Sequence, residues 1–315
     1  MLDTFSRYLI EERHLSPKTE HCYLVDTQQF KRFLDKNVSP KTFLDITRED
    51  VQFFADYLTK QGYKPCSVNR KLASLGTFYQ FLVKKGFLES SPIHHQSTLG
   101  RGLNIRKPKV PKKELLHIST NDIKRLLDSI EPDNKLKQLR DKTIYGLMAL
   151  AGLKAPELQS MTWGDVDLTG KTINIIRRQQ TVTVSMSCEL FSMVEAYCFA
   201  RMSGEYLTDD DVLFINKHGK SLSCRSMHRN LDRYAREIGL RVNPSQLRHS
   251  FAVSEVHKGA NLAELQERLG HLAETTTKVY YTISQDAANL GEAAPIEEIE
   301  PATTCINDIA HETGK

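Results

Sequence analysis

Residues 247–281 read LRHSFAVSEVHKGANLAELQERLGHLAETTTKVYY. The stretch contains an arginine (Arg248), a histidine after a Leu-Gly pair (His271) and a tyrosine nine residues later (Tyr280). A guanidinium binds a phosphate through paired donors, an imidazole transfers protons and a phenol can carry a phosphate covalently. Together these residue types indicate phosphoryl transfer that needs no metal ion.

Three elements of this stretch occur in a known order: Arg-His-Ser-Phe-Ala at 248–252, Leu-Gly-His at 269–271 and Thr-Thr-x-x-Tyr at 276–280. In these elements the chain resembles the tyrosine recombinase (phage integrase) family, of the Xer-like type, and the resemblance spans about residues 1–290. It implies a mainly α protein of two domains. A helical core-binding (SAM-like) domain comes first, and an α+β catalytic domain with a small antiparallel sheet follows.

The resemblance also implies a mechanism and its residues. In this family a tyrosine attacks the scissile phosphodiester and becomes a 3′-phosphotyrosine, without a metal or another cofactor. By position Tyr280 matches the nucleophile, Arg248 the second phosphate-binding arginine and His271 the later active-site histidine. Tyr281 is adjacent to Tyr280 and is retained as a minor candidate for the nucleophile.

Three catalytic positions depart from the family pattern. Residues 152–158 read Gly-Leu-Lys-Ala-Pro-Glu-Leu, so Lys154 stands where the family has its first arginine. An ungapped count places the hairpin lysine at Arg178, and Ser245 replaces the histidine three residues before Arg248. Lysine lacks the planar fork of arginine, and a guanidinium is a poor proton donor at neutral pH. Losing one transition-state donor costs about 10²–10³ in rate, and losing a general acid about 10²–10⁴.

These departures leave two main functions open. The first is site-specific DNA strand cleavage and rejoining through a 3′-phosphotyrosyl intermediate on Tyr280, in a weakened form. In that case Lys154 reaches the leaving oxygen while Arg178 holds the phosphate. The second is a catalytically silent relative that binds a DNA sequence as an accessory or regulatory factor. A strand-passing topoisomerase of the related tyrosine type is a minor third interpretation.

Patterning divides the chain into four parts. We predict a helical DNA-clamp domain at 1–95, a basic linker at 96–117, a catalytic-like domain at 118–290 and an acidic tail at 291–315. The linker combines glycines and prolines with cations, and such a segment can follow a phosphate backbone. The residues expected to contact DNA are Arg70 and Lys71 of the fourth helix and Arg101, Arg106, Lys107, Lys109, Lys112 and Lys113 of the linker.

Local signals support this division. The first ninety residues read as four helices, and Thr47 with Asp50 three residues later predicts a capped start for the third. The fourth helix has an apolar side and a second side with Asn69, Arg70 and Lys71, which is expected either to face water or to contact phosphates. In the second domain, Thr172–Ile176 and Thr181–Met186 predict a β-hairpin among helices.

The distribution of charge along the chain limits the kinds of partner that it can bind. The last 25 residues carry six acidic groups against one lysine, whereas the first 290 carry 42 basic against 33 acidic groups, a net of +9. A body this basic favours double-stranded DNA as partner. The family resemblance implies a homo-oligomer, a tetramer on paired sites, or pairing with a related recombinase.

Other features exclude several classes of protein. No apolar run approaches the roughly 18 residues that span a bilayer, so no membrane partner is expected. The N-terminal residues lack a signal-peptide core, and we expect a cytoplasmic, nucleoid-associated protein. Six cysteines show neither CxxC nor Cys/His metal spacing, so we expect reduced thiols and no metal site.

Overall fold

The computed structural model describes residues 1–37, 41–93, 105–111, 116–132, 134–177, 180–202 and 206–289, with side chains up to residue 284. The chain divides into two compact units, Met1–Lys113 and Glu114–Lys315. No helix among the described residues is long and apolar enough to cross a membrane. The predicted tail and the residues Arg101, Lys112, Lys113 and Arg178 lie outside the described part of the chain.

The first unit is a helical bundle. Its helices are α1 (Leu2–Arg7, continued by a π-helical turn at Tyr8–Glu12), α2 (Pro17–Asn37), α3 (Arg48–Lys60) and α4 (Pro65–Lys84). The predicted capping box is present, since the Thr47 side chain accepts the backbone N–H of Asp50 and the Asp50 carboxylate accepts that of Thr47. Aromatic side chains, among them Phe5, Phe54 and Phe78, fill the core between the helices.

The polar side of α4 covers a buried carboxylate. Asp26 of α2 is 1% exposed and accepts hydrogen bonds from Arg70 (Nη2, 3.0 Å), Lys71 (2.8 Å) and Ser74 (2.8 Å). The Lys71 ammonium also donates to Gln29 (2.6 Å) and is 6% exposed as a residue. Lys71 is therefore buried rather than on an exposed side as predicted, because a buried carboxylate needs this cation as its partner, and its contact with DNA stays a prediction. Arg70 keeps half of its side chain exposed.

Residues 105–111 of the predicted linker pack on this same unit. Gln52 of α3 accepts the backbone N–H of Arg106 (2.8 Å), and Asn69 of α4 donates to the carbonyl of Pro108 (3.2 Å). Ile105 is buried in the core of the unit. The described part of the linker is thus attached, and the boundaries at 95 and 117 stay predictions. Its exposed cations are Arg106, Lys107 and Lys109.

The second unit combines helices with a small sheet. Its helices are α5 (Thr120–Asp128), α6 (Lys135–Leu150), α7 (Ala155–Ser160), α8 (Cys188–Met202), α9 (Cys224–Glu237), α10 (Pro244–His257), α11 (Leu262–Leu269) and α12 (Glu274–Asn289). Its strands are β1 (Val166–Asp167), β2 (Thr172–Arg177) and β3 (Gln180–Ser185), in the antiparallel order β1-β2-β3. The predicted hairpin is β2–β3, with register from Thr172 opposite Ser185 to Arg177 opposite Gln180.

Helix α6 is the centre of this unit. Most of its residues from Arg140 to Ala149 are buried, and it packs against α8 and α10. Gly152, just after α6, has φ +65°, and a Cβ there would lie 2.4 Å from the ring of Phe251 on α10. Only glycine fits this conformation without strain. The close approach brings the segment before α7 against the middle of α10.

Candidate active site

Arg248 occupies the centre of the site. Helix α10 starts at a capping box between Asn243 and Gln246, and Arg248 follows in its second turn. Its side chain is buried and donates to the carbonyls of Gly152 and Leu269. Burial, and then the nearby positive charge of Arg177, lower the pKa of Arg248 to about 10. The guanidinium is still charged at neutral pH and joins three segments of the chain.

Tyr280 lies beside this arginine on α12 and is 3% exposed. Its hydroxyl is 2.8 Å from Nδ1 of His249, the residue that follows Arg248. Burial raises the pKa of Tyr280, and the charge of Arg248 opposes that rise. The neighbouring Tyr281 points elsewhere, because its hydroxyl donates to the carbonyl of Ala260 (2.6 Å).

His271 completes the surroundings of Tyr280. Gly270 ends α11 in the left-handed conformation (φ +60°), and His271 follows it. Nδ1 of His271 lies 2.9 Å from the Thr277 hydroxyl, and its ring stacks on that of Tyr280 at 6.2 Å between centroids. Burial lowers the pKa of His271 to about 4, with further lowering by the cations Arg248, Lys154 and Arg177 and by the neighbouring His249. The imidazole is therefore neutral at neutral pH.

Lys154 and Ser245, two further predicted residues, are both exposed. Lys154 is exposed and directly precedes α7, and its charge acts on His271. Its backbone N–H donates to Glu157 (2.7 Å). Ser245 is exposed in the first turn of α10, where its N–H donates to Asn243 (3.0 Å). The structure thus brings Arg248, His271 and Tyr280 together, with Lys154 beside them.

The cation that β2 adds to this cluster is Arg177. Its side chain is 4% exposed. Nε donates to Glu157 Oε1 (2.8 Å), Nη2 to Glu157 Oε2 (3.0 Å), and Nη1 to the carbonyl of Arg268. Burial works to raise the pKa of Glu157, but the hydrogen bonds from Arg177 and from the Lys154 N–H outweigh it, so this pKa lies below its ordinary value.

The two arginines also cap α11. The last carbonyls of a helix lack partners inside it, and cations near that end are stabilising. Arg177 binds the carbonyl of Arg268 and Arg248 binds that of Leu269. The turn that holds His271 is therefore fixed by the same side chains that bring positive charge to the site.

Three residues of this site were not identified from the sequence: His249, Glu157 and Arg177. His249 stands inside the quoted motif, directly after Arg248, and could have been noted there. Alternation along β2 is the signal for Arg177, because buried side chains occur at Ile173, Ile175 and Arg177. Glu157 has no signal beyond its place in the motif at 152–158.

Among the described residues, no three or more His, Cys, Asp or Glu side chains are grouped to hold a metal ion. The chemistry of the cluster is instead that of two buried guanidinium groups, two imidazoles and a phenol. Such a set can bind an anionic ester and transfer a phosphoryl group to the phenol.

Comparison with known proteins decides the family. The family model described as the phage integrase family matches residues 117–287, and that of the phage integrase N-terminal SAM-like domain matches residues 2–86. The chain belongs to the phage integrase family of tyrosine recombinases. The predicted family and fold class are both confirmed, including the Xer-like type.

Curated members of the family resemble the chain over nearly its whole length. The tyrosine recombinase XerC of Roseiflexus sp. (strain RS-1) is 28% identical over 316 residues, covering 99% of this chain and 96% of that protein. The XerC of Halalkalibacterium halodurans is 30% identical over 297 residues, covering 90% and 93%.

Solved tyrosine recombinases share the fold. XerH recombinase bound to palindromic difH substrate, a post-cleavage complex, aligns with a TM-score of 0.70 at 17% identity, covering 92% of this chain and 84% of that one. The Tn1549 transposon integrase in complex with transposon right end DNA aligns with a TM-score of 0.69 at 15% identity, covering 93% and 99%.

Proposed function

We propose that this phage integrase family member binds duplex DNA at specific sites and cleaves and rejoins one strand through a 3′-phosphotyrosyl intermediate on Tyr280. The observation that carries this proposal is the position of the Tyr280 hydroxyl, 2.8 Å from an imidazole nitrogen and beside the buried Arg248. A phenol in that position has both a proton acceptor and a cation to hold the phosphate.

The cleavage step balances with residues of the cluster. The Tyr280 oxygen attacks the phosphorus, its proton passes to Nδ1 of His249, and the bond to the 5′ oxygen breaks. Lys154, exposed at the edge of the cluster, supplies the proton to the leaving oxygen. This sequence requires the His249 tautomer with its proton on Nε2. Rejoining reverses each transfer, because the phosphotyrosyl bond conserves the energy of the phosphodiester.

Arg248 and His271 stabilise the transition state. Arg248 carries its charge into a pocket where hydrogen bonds are stronger than in water. His271 is neutral, so it assists by donating one hydrogen bond rather than by adding charge. The altered residues at 154 and 245 make a slow enzyme the expected result, since each missing donor or acid costs orders of magnitude in rate.

A specific observation favours a second function, that of a silent DNA-binding accessory or regulatory factor. Tyr280 is 3% exposed, its hydroxyl is already paired with His249, and Arg248 donates to two backbone carbonyls. A protein kept in this arrangement on DNA would bind the site without cleaving it.

DNA contact is proposed through the exposed cations of both units. The half-exposed Arg70 belongs with these, whereas Arg101, Lys112 and Lys113 are proposed from the sequence alone. Helix α9 adds a basic face that the sequence reasoning did not single out. The exposed basic side chains proposed to contact DNA are Arg106, Lys107 and Lys109 of the linker and Arg225, His228 and Arg229 of α9. We further propose a tetramer on paired sites, formed with itself or with a related recombinase, acting on DNA of the nucleoid in the cytoplasm.

The test is incubation with a nicked half-site duplex, selected from random sequence by its binding to the protein, followed by denaturing electrophoresis. A covalent adduct that Tyr280→Phe abolishes and Tyr281→Phe retains supports the enzyme. The control is apt because Tyr281 keeps its hydroxyl on Ala260. Sequence-selective binding without any adduct at long times supports the silent factor instead.

A further inference from the structure

We propose that Arg177 is a phosphate-binding residue of this chain, supplying the guanidinium fork that is absent at position 154. The inference rests on the phosphate site of the proposed function. It replaces the expectation that Arg178 holds the phosphate, and it assigns to a strand residue the task that the family gives to the residue before α7.

The location of the Arg177 guanidinium supports this role. It shares an acceptor with the backbone at position 154, because Glu157 Oε2 receives both the Lys154 N–H (2.7 Å) and Arg177 Nη2 (3.0 Å). The charge of Arg177 also contributes to the lowered pKa values of Arg248 and His271. The group therefore lies inside the cluster around Tyr280, although it comes from another element.

The described hydrogen bonds of Arg177 leave two of its donors for an anion. A guanidinium has five N–H donors, and the described bonds use three. Nε and Nη2 form the edge that faces Glu157, and Nη1 uses one hydrogen on the carbonyl of Arg268. One hydrogen on Nη1 and one on Nη2 are not used by these bonds. Such a pair binds two oxygens of one phosphate.

Glu157 acts as the positioning residue for this fork. Its side chain is only 10% exposed and holds the guanidinium through two parallel bonds, which fixes the orientation of the group. It also offsets one positive charge while no DNA is bound, so that Arg177 and Arg248 can lie close together. In the simplest competing explanation, Arg177 only joins β2 to α7 and α11 and never contacts DNA.

A charge-deletion experiment separates these explanations. The probe is the selected duplex, with its phosphates replaced one at a time by neutral methylphosphonates. With the natural linkage, Arg177→Ala should slow adduct formation by about 10²–10³-fold, as should Arg248→Ala. With the scissile phosphate neutral, a phosphate-binding arginine has no charge to balance, and the loss should shrink to less than about threefold. Equal losses on both duplexes would overturn the proposal.

Two further variants keep the test informative. Arg177→Ala leaves the largely buried Glu157 carboxylate without its partner, so the double variant Arg177→Ala/Glu157→Gln is used if the single one does not fold. Arg177→Lys keeps the charge without the fork and should recover only part of the rate. Arg125→Ala, at an exposed pair with Asp122, is the control for general loss of charge.

If the parent protein forms no adduct with any duplex, the proposed cleavage fails but the Arg177 assignment is still tested. Binding affinity then replaces the rate. The phosphate that Arg248 contacts is the one whose neutralisation weakens binding by the parent protein but not by Arg248→Ala. If Arg177 contacts the same phosphate, neutralising it should not weaken binding by Arg177→Ala either. The assignment would be refuted if neutralising each phosphate in turn lowered the affinity of Arg177→Ala by as much as it lowers the affinity of the parent protein.

Discussion

A Cβ added to Gly270 would lie 2.8 Å from Cδ of Arg177, and Gly270 itself has φ +60°. We expect Gly270→Ala to destabilise the protein by about 1–2 kcal/mol through backbone strain and to displace the guanidinium, with loss of adduct formation. Urea denaturation and the half-site assay measure the two effects. Gly259→Ala is the control, since Gly259 has φ +85° but nothing within 4 Å of its Cβ position. An equal loss of activity in both variants would contradict the steric argument.

His249 is expected to matter for the chemical step rather than for binding. Replacing it with alanine removes the group 2.8 Å from the Tyr280 hydroxyl, and the cleavage rate should fall by about 10²–10⁴-fold with DNA affinity unchanged. Added imidazole should restore part of the rate, because it can take the same proton. His257→Ala, at the exposed end of α10, should behave like the parent protein. If added imidazole does not raise the cleavage rate of His249→Ala, or raises the rates of His249→Ala and His257→Ala equally, His249 does not transfer the proton.

The neutral state of His271 predicts a pH dependence of stability. Its pKa in the folded protein is about 4, below the ordinary value of 6.5, so the unfolded chain binds the proton more readily. The free energy of unfolding should therefore be highest above about pH 6.5 and fall as the pH drops toward 4. His271→Gln cannot titrate and should lose less stability between pH 7 and 4.5, measured by urea denaturation at each pH. Parallel curves for the two proteins would exclude this assignment.

Asp26 is expected to be a main stabilising residue of the first unit. Asp26→Ala leaves the buried Lys71 without its carboxylate and should cost about 3–5 kcal/mol. Asp35→Ala on the same helix breaks only the exposed pair with Lys31 and should cost less than about 1 kcal/mol. Thermal unfolding of the full chain gives both values. Similar costs would mean that burial of the network contributes little.

The exposed cations of residues 105–111 predict the salt dependence of DNA binding. Replacing Arg106, Lys107 and Lys109 with alanine should reduce the slope of log affinity against log salt by about 1 for each phosphate that the protein no longer neutralises. Lys84 and Lys85 are the control pair, because both are already paired with Glu12. Titration with labelled duplex at several salt concentrations measures the slopes. An unchanged slope in the triple variant would show that this segment does not follow the backbone.

The fold and three central residues of the site follow from the sequence, because Arg248, His271 and Tyr280 lie in one continuous stretch with recognisable spacing. The role of Arg177 could not be predicted in this way. The ungapped count of residues pointed to Arg178 because it ignores the side of the strand to which each residue points. The sequence misplaces Lys71 because a helical pattern does not reveal a carboxylate 45 residues earlier in the chain. Long-range partners of charged groups are set by packing, and local periodicity carries no information about them.

The attachment of residues 105–111 to α3 and α4 determines where the gene can be divided. A fragment that ends with α4 lacks Ile105 and the groups that pair with Gln52 and Asn69, so it uncovers apolar surface in water. Such a product is expected to aggregate during purification. Expression of the N-terminal half for footprinting or crystallisation is better served by a stop codon placed beyond Pro111.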